Sequence, residues 1–498
     1  MAHPRRQPWI VASATSWAIL LVASTCIGAS AAPGVAPGDA PGRNGEAGPP
    51  ASFQPASGPA PGLATLATVR VGIAPDLATW NASQGVGGGD VYVANAGSEN
   101  VSVLAGLTNV ATVNVSAYGH VPYDPIDDPA SSSVVLTYRD YTGPHNVSVL
   151  HGPVAGGTQA VAQVEGVTAN DVPVLGVYDV ANASIYLTDN GATVGVAVVG
   201  AANATRFATV LTGATSDPRG LAVDPGNGEV YVVDLGVDTV TVVSGVHLLA
   251  NVTVGALVNS TSGVNESSGG VDDLDYASDI VYDPANGDIY VANAGAGTVS
   301  VLNRTTVIAT VGVGKLPYAL AYDPSDGEVY VTDVLSDAVS VLRGTTLEGT
   351  VPVGRYPVDA TYDASDGDIL VANVGSDNVS ALNGTAVAGS VGIGPTPVGS
   401  FGVPCAPVSI VYDTVDHDAY VVCEGSGSVT ILGTAPGGPP GIPAWGWGLV
   451  GIGLVLLVLL AITWNSRRRQ RAKPSPQAPS LSASGPGAPD PSSRPPPP

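Results

Sequence analysis

Tyr290-Val-Ala-Asn293, Tyr330-Val-Thr-Asp333 and Leu370-Val-Ala-Asn373 stand 40 residues apart. Each follows an Asp-x-x-x-Gly-Asp/Glu turn and precedes a Val-Ser strand ending in Leu. A unit of about 40 residues with several short strands cannot bury both faces of its sheet alone. Stacking neighbours solves this, and the result is a β-propeller.

One unit is clearest from Gly314 to Val353. Pro317–Asp323 reads as a first strand and Glu328–Asp333 as a second. Ala338–Leu342 is a third, Leu347–Val353 a fourth, with Gly/Pro/Ser/Asp turns between them. The second strand is apolar at nearly every position, as a strand packed on both faces should be. Equivalents occur at Val91–Asn95, Val134–Tyr138, Ile185–Asp189, Val230–Asp234, Ile289–Asn293, Val329–Asp333, Ile369–Asn373 and Ala419–Cys423. The expected fold is therefore all-β, with eight four-stranded antiparallel blades over 63–434. Seven would result if the degraded unit around Leu136 belonged to its neighbour. The last unit lacks a fourth strand, and Thr65–Val71 resembles one. The N-terminal strand is therefore expected to close the ring.

The tetrapeptides Tyr92-Val-Ala-Asn95, Tyr290-Val-Ala-Asn293 and Tyr330-Val-Thr-Asp333 resemble the YVTN β-propeller repeat family. The Asp-Pro-x-x-Gly turns at Asp224, Asp283 and Asp323 share that resemblance. It implies a propeller like those of surface-layer proteins, outside the cell. It carries over no catalytic residue.

The chain ends give an address. Residues 1–31 read as a secretory signal peptide: Arg5-Arg6, an apolar run, then Ala29-Ser30-Ala31. Residues 32–62 form a Pro/Gly/Ala-rich linker, and 435–443 a second linker. Ala444–Trp464 spans roughly 31 Å as a helix, enough for one membrane crossing. Trp445, Trp447 and Trp464 mark its edges, and Arg467-Arg468-Arg469 places the 465–498 tail in the cytoplasm. Membrane attachment by this one helix, with the propeller outside, is the expectation. Twelve sequons lie between the two apolar segments: Asn81, Asn100, Asn114, Asn146, Asn182, Asn203, Asn251, Asn259, Asn265, Asn303, Asn378 and Asn383. They are candidate glycan sites. Cys405 and Cys423 flank one hairpin and are a candidate disulfide.

A net charge of −24 with only two lysines excludes a nucleic acid partner. The histidines His3, His120, His145, His151, His247 and His417 form no zinc spacing. No nucleophile elbow or phosphate loop occurs in a suitable context. The Asp-x-x-x-Gly-Asp/Glu turns offer too few oxygens for calcium. Asn95, Asp189, Asp234, Asn293, Asp333 and Asn373 read as turn formers bonding their own backbone. Asp124, Asp279 and Asp359 align early in the innermost strands and are weak candidates for a metal in the channel. No cofactor is implied. The reading is a surface structural or interaction protein whose partners are envelope glycans or surface proteins. The alternative is an extracellular propeller enzyme of lactonase or lyase type.

Overall fold

The structure is a computed structural model. It describes residues 63–82, 89–139, 147–151, 160–165, 167, 171–191, 194–200, 205–213, 217–257, 279–393 and 404–434. The chain divides into two units, 1–52 and 53–498, and every described residue lies in the second. The expected signal peptide, both linkers, the membrane segment 444–464 and the tail fall outside the described residues. Among the described residues no helix is long and apolar enough to cross a membrane.

Eight four-stranded antiparallel sheets follow one another along the chain. We number them blades 1 to 8 by their inner strands, which begin at Pro75, Pro122, Pro173, Pro218, Ile280, Pro317, Pro357 and Pro407. The unit around Leu136 forms a sheet of its own, from Pro122–Asp128, Ser133–Tyr138, Ser148–His151 and Ala160–Gln163. That settles the number at eight. In blade 8 the inner three strands are Pro407–Tyr412, Ala419–Cys423 and Ser428–Thr434. Its outer strand is Leu63–Arg70, with Thr65 opposite Leu432 and Arg70 opposite Ser428. The two ends of the repeat region therefore meet in one sheet, which closes the ring without a long exposed edge.

Second strands are buried along their whole length, as in Asp90–Asn95, Asp288–Asn293 and Glu328–Asp333. Successive side chains point to opposite faces, and both faces meet a neighbouring blade. The core is accordingly a cycle of interfaces. Val91, Val93 and Leu104 of blade 1 pack on Tyr420, Val422, Val429 and Ile431 of blade 8. Tyr290, Val299 and Val301 of blade 5 meet Leu320, Val329 and Leu342 of blade 6. Each fully buried Val, Leu or Tyr of this kind contributes roughly 1.5–3 kcal/mol, so small aliphatics suffice without a large aromatic core. At one end of the interfaces tyrosine hydroxyls tie neighbours together: Tyr282 to Asp224, Tyr322 to Asp283 and Tyr412 to Asp363.

Candidate functional site

The last residue of the second strand does more than form a turn. Asn95 donates from Nδ2 to Ser102 Oγ at 3.0 Å, Asn293 to Ser300 at 2.9 Å and Asn373 to Ser380 at 3.0 Å. Ser340 Oγ donates to Asp333 Oδ2 at 2.7 Å, and Thr241 Oγ1 bonds Asp234. The same side chain meets the connection arriving from the previous blade: Gly72 N donates to Asn95 Oδ1 at 2.9 Å. A Cβ on Gly314 would stand 2.5 Å from Asp333 Cγ, so only glycine passes there. These residues are buried latches binding the third strand, and in several blades the incoming connection too. Their reading as turn formers is corrected on that ground, although Asp189 Oδ1 also accepts from Gly191 N at 2.9 Å, two residues on.

The inner strands carry the channel. Their ladders slip just after the first proline, between Pro75 and Ala78, Pro122 and Pro125, Pro317 and Leu320, and Pro357 and Asp359. Such an irregularity frees the residues beside it from strict alternation. Asp124 and Asp359 lie two residues after their prolines, and Asp279 just precedes Ile280. All three perform one task. Asp124 Oδ2 accepts from Gly176 N at 2.9 Å, Asp279 Oδ2 from Leu320 N at 2.9 Å, and Asp359 Oδ2 from Ile410 N at 2.8 Å. Each donor belongs to the inner strand of the next blade. Burial pushes these carboxyls up, to about 7, 6 and 7, against the pull of the amides they accept from. Among the described residues no group of three or more His, Cys, Asp or Glu is gathered closely enough to hold a metal ion.

The position directly after the proline points to a different set. It holds Asp76, Tyr123, Arg219 and Tyr318 in blades 1, 2, 4 and 6. Arg139 and Glu424 follow the second strands of blades 2 and 8. These residues converge across the ring. Tyr318 of blade 6 is influenced electrostatically by Asp359 of the neighbouring blade 7 and by Tyr123, Asp76 and Arg139 of blades 1 and 2. Arg139 Cζ stands 5.0 Å from the Tyr123 ring centroid, and Arg219 Nε lies 3.1 Å from Asp217 Oδ1. Burial raises Asp76 to about 6, with the Arg139 charge opposing and Glu424 reinforcing. Burial likewise lifts the Tyr123 phenol to about 12. Tyr318 also packs, with Tyr356, against a buried apolar cluster of Ala294, Leu316, Val334, Val358 and Val374. Sequence reasoning aligned the second residue after the proline and so missed Asp76. The signal was there in Pro75-Asp76, but no linear pattern shows which of two adjacent residues faces the channel.

The sequons separate by burial. Asn81 is fully buried and donates from Nδ2 to Ser133 O at 3.1 Å, across to blade 2. Asn114, Asn182, Asn251, Asn303 and Asn383 are exposed, whereas Asn100 and Asn378 are half-buried. Asn146, Asn203, Asn259 and Asn265 lie outside the described residues. Cys405 and Cys423 are joined in a buried disulfide, with Cα atoms 4.6 Å apart.

Fold and site together define a closed eight-bladed propeller with polar and charged residues at the start of its inner strands. No family model matches the chain, and no curated protein matches it. Among solved structures, the C-terminal WD40 domain of Sif2 superposes with a TM-score of 0.53 at 10% identity, covering 75% of this chain and 99% of that one. A streptogramin B lyase gives 0.46 at 12%, covering 63% and 93%. Virginiamycin B lyase from Staphylococcus aureus gives 0.46 at 11%, covering 64% and 94%. At such identity the likeness to the WD40 domain concerns the fold alone.

Proposed function

We propose that this chain is a surface-displayed interaction scaffold of the YVTN repeat type. It is secreted, glycosylated and tethered by the 444–464 helix, and it engages envelope polymers or surface proteins. One observation carries the reading: the channel aspartates Asp124, Asp279 and Asp359 already accept backbone amides of the neighbouring blade. They stiffen the ring, so their carboxylates are committed to architecture. A rigid wheel with broad loops suits recognition. Full-length protein in detergent should retain isolated envelopes of its own cell on a pull-down. It should turn over nothing in a hydrolase and lyase screen.

The enzyme reading, a lactonase or lyase, has a single observation in its favour. Asp76, raised by burial to about 6 against the Arg139 charge, is suited to act as a general acid or base. Turnover abolished by Asp76→Asn would replace the scaffold reading with this one.

A further inference from the structure

In several blades a polar latch fastens the connection arriving from the previous blade. Blade 8 does this by other means. Cys423 ends its second strand and pairs with Pro407, as Asn95 pairs with Pro75, Asp333 with Pro317 and Asn373 with Pro357. It therefore stands in the latch position. It also meets the same partner on the third strand. The Thr430 hydroxyl lies 3.6 Å from Cys423 Sγ, where Ser102, Ser340 and Ser380 bond the latches of blades 1, 6 and 7. Across the connection the parallel breaks. Gly72 lies three residues before its inner-strand proline, and its amide donates to Asn95. The same place in blade 8 holds Pro404, which has no amide hydrogen to donate. The bond is made one residue further on and is covalent, from Cys405 to Cys423, with both residues buried.

We infer that this bridge is a redox-sensitive latch on the blade that closes the ring. The inference is independent of what the propeller binds. From the bridge a row of side chains runs through Thr430 to Thr68, whose hydroxyl oxygens are 3.5 Å apart. Thr68 belongs to the N-terminal closing strand, so the row joins the arriving connection to the seal of the ring. A small dithiol that reaches the bridge breaks the S–S bond. It gives up two electrons and two protons and closes to its own disulfide, while Cys405 and Cys423 each become a thiol. Two thiol sulfurs need van der Waals separation where a bond had held them together. The connection then moves off the second strand, and Pro404 offers no hydrogen bond to bring it back. It keeps Ala406 N donating to Asp377 Oδ1 at 2.8 Å, and the Glu424 and Gly425 amides on Ala406 O and Cys405 O. Blade 1 has the equivalent backbone bonds, Ala96 N to Ala74 O and Gly97 N to Ile73 O, and the Asn95 latch besides.

Hydrogen exchange on the full-length protein, with and without a small dithiol in native buffer, tests this. Alkylation after treatment should map to Cys405 and Cys423. Peptides covering 404–434 and 63–70 should then exchange at least about tenfold faster, because a bridge across a separation of 18 residues no longer restrains the opened blade. Peptides from 317–352 in blade 6 should keep their rates. Reoxidation by a small disulfide should restore the protection. Cys405→Ala combined with Cys423→Ala should exchange fast in blade 8 without dithiol and show no response to it. If that variant fails to fold, the unmodified protein still carries the test. A bridge that the dithiol opens only in denaturant would be a structural staple, and the inference falls. It falls equally if reduction leaves blade 8 protected, or speeds exchange evenly round all eight blades.

Discussion

Asp333 occupies a latch position where blades 1, 5 and 7 have Asn95, Asn293 and Asn373. Burial raises its carboxyl to about 7, and Oδ1 has no hydrogen-bond partner. An acid whose folded pKa lies above its unfolded value binds more protons when folded. Its neutral form is thus favoured by folding, and stability is lost as pH rises from about 4 towards 7. Asp333→Asn removes that penalty and lets Nδ2 donate to Ser340 Oγ, as in the other blades. The expected gain is on the order of 2–4 kcal/mol at pH 8 and close to none at pH 4, at about 1.4 kcal/mol per pKa unit. Urea melts of the two proteins at both values check this; an equal gain at pH 4 would mean repacking rather than titration. Asn81 makes the opposite case among the sequons. Asn81 is fully buried and its Nδ2 is engaged by Ser133 O, so glycopeptide mapping should find Asn81 bare while the exposed Asn114 carries glycan. Asn81→Ala should cost about 1–3 kcal/mol, leaving the Ser133 carbonyl unpaired.

At the scale of the element, the closing strand decides whether the ring exists. Leu63–Arg70 supplies the outer strand of blade 8 and covers Ser428–Thr434. A chain truncated before residue 72 would expose that strand as an open edge. It should elute as oligomers on size exclusion and lose several degrees of melting temperature; a monomer of unchanged stability would show that blade 8 stands without it. This strand was legible in the sequence because it repeats the phrase of Val307–Val313. So were all eight second strands, since burial on two faces leaves continuous apolar runs such as Val-Tyr-Val. The degraded blade 2 was legible as a strand yet ambiguous as a blade, because a worn phrase no longer shows its own third and fourth strands. The roles of Asp124 and Asp333 were not legible. Their partners, Gly176 and Ser340, sit in another blade or across a turn. A 40-residue period aligns equivalent positions and says nothing of what meets between unlike ones. Asp76, Tyr123, Arg139 and Tyr318 were hidden for the same reason: they come from three units, and the irregularity after each proline chooses their direction.

Across the whole molecule the raised acids act in one sense. Asp76, Asp124, Asp279, Asp333 and Asp359 all lie above the ordinary carboxylate value, each chiefly through burial. All lose stabilisation over the same window, from about pH 4 to their folded values near 6 and 7. Each contributes a slope of at most about 1.4 kcal/mol per pH unit there, and solvent at the partly exposed channel groups screens part of it. The net charge of −24 at pH 7 adds self-repulsion that relaxes as carboxylates protonate. Protein stability usually falls as pH drops through 5, because salt-bridged acids lose their partners. This chain has 17 Lys and Arg against 41 Asp and Glu, so few acids have such partners to lose. The melting temperature should therefore be higher at pH 5 than at pH 8, by several degrees. Scanning calorimetry at both values decides it, and a Tm that climbs with pH would place the buried carboxyls as stabilised anions. Asp333→Asn should flatten part of the slope. Asp124→Asn should flatten part of it too without opening the ring, because an amide oxygen still accepts from Gly176 N.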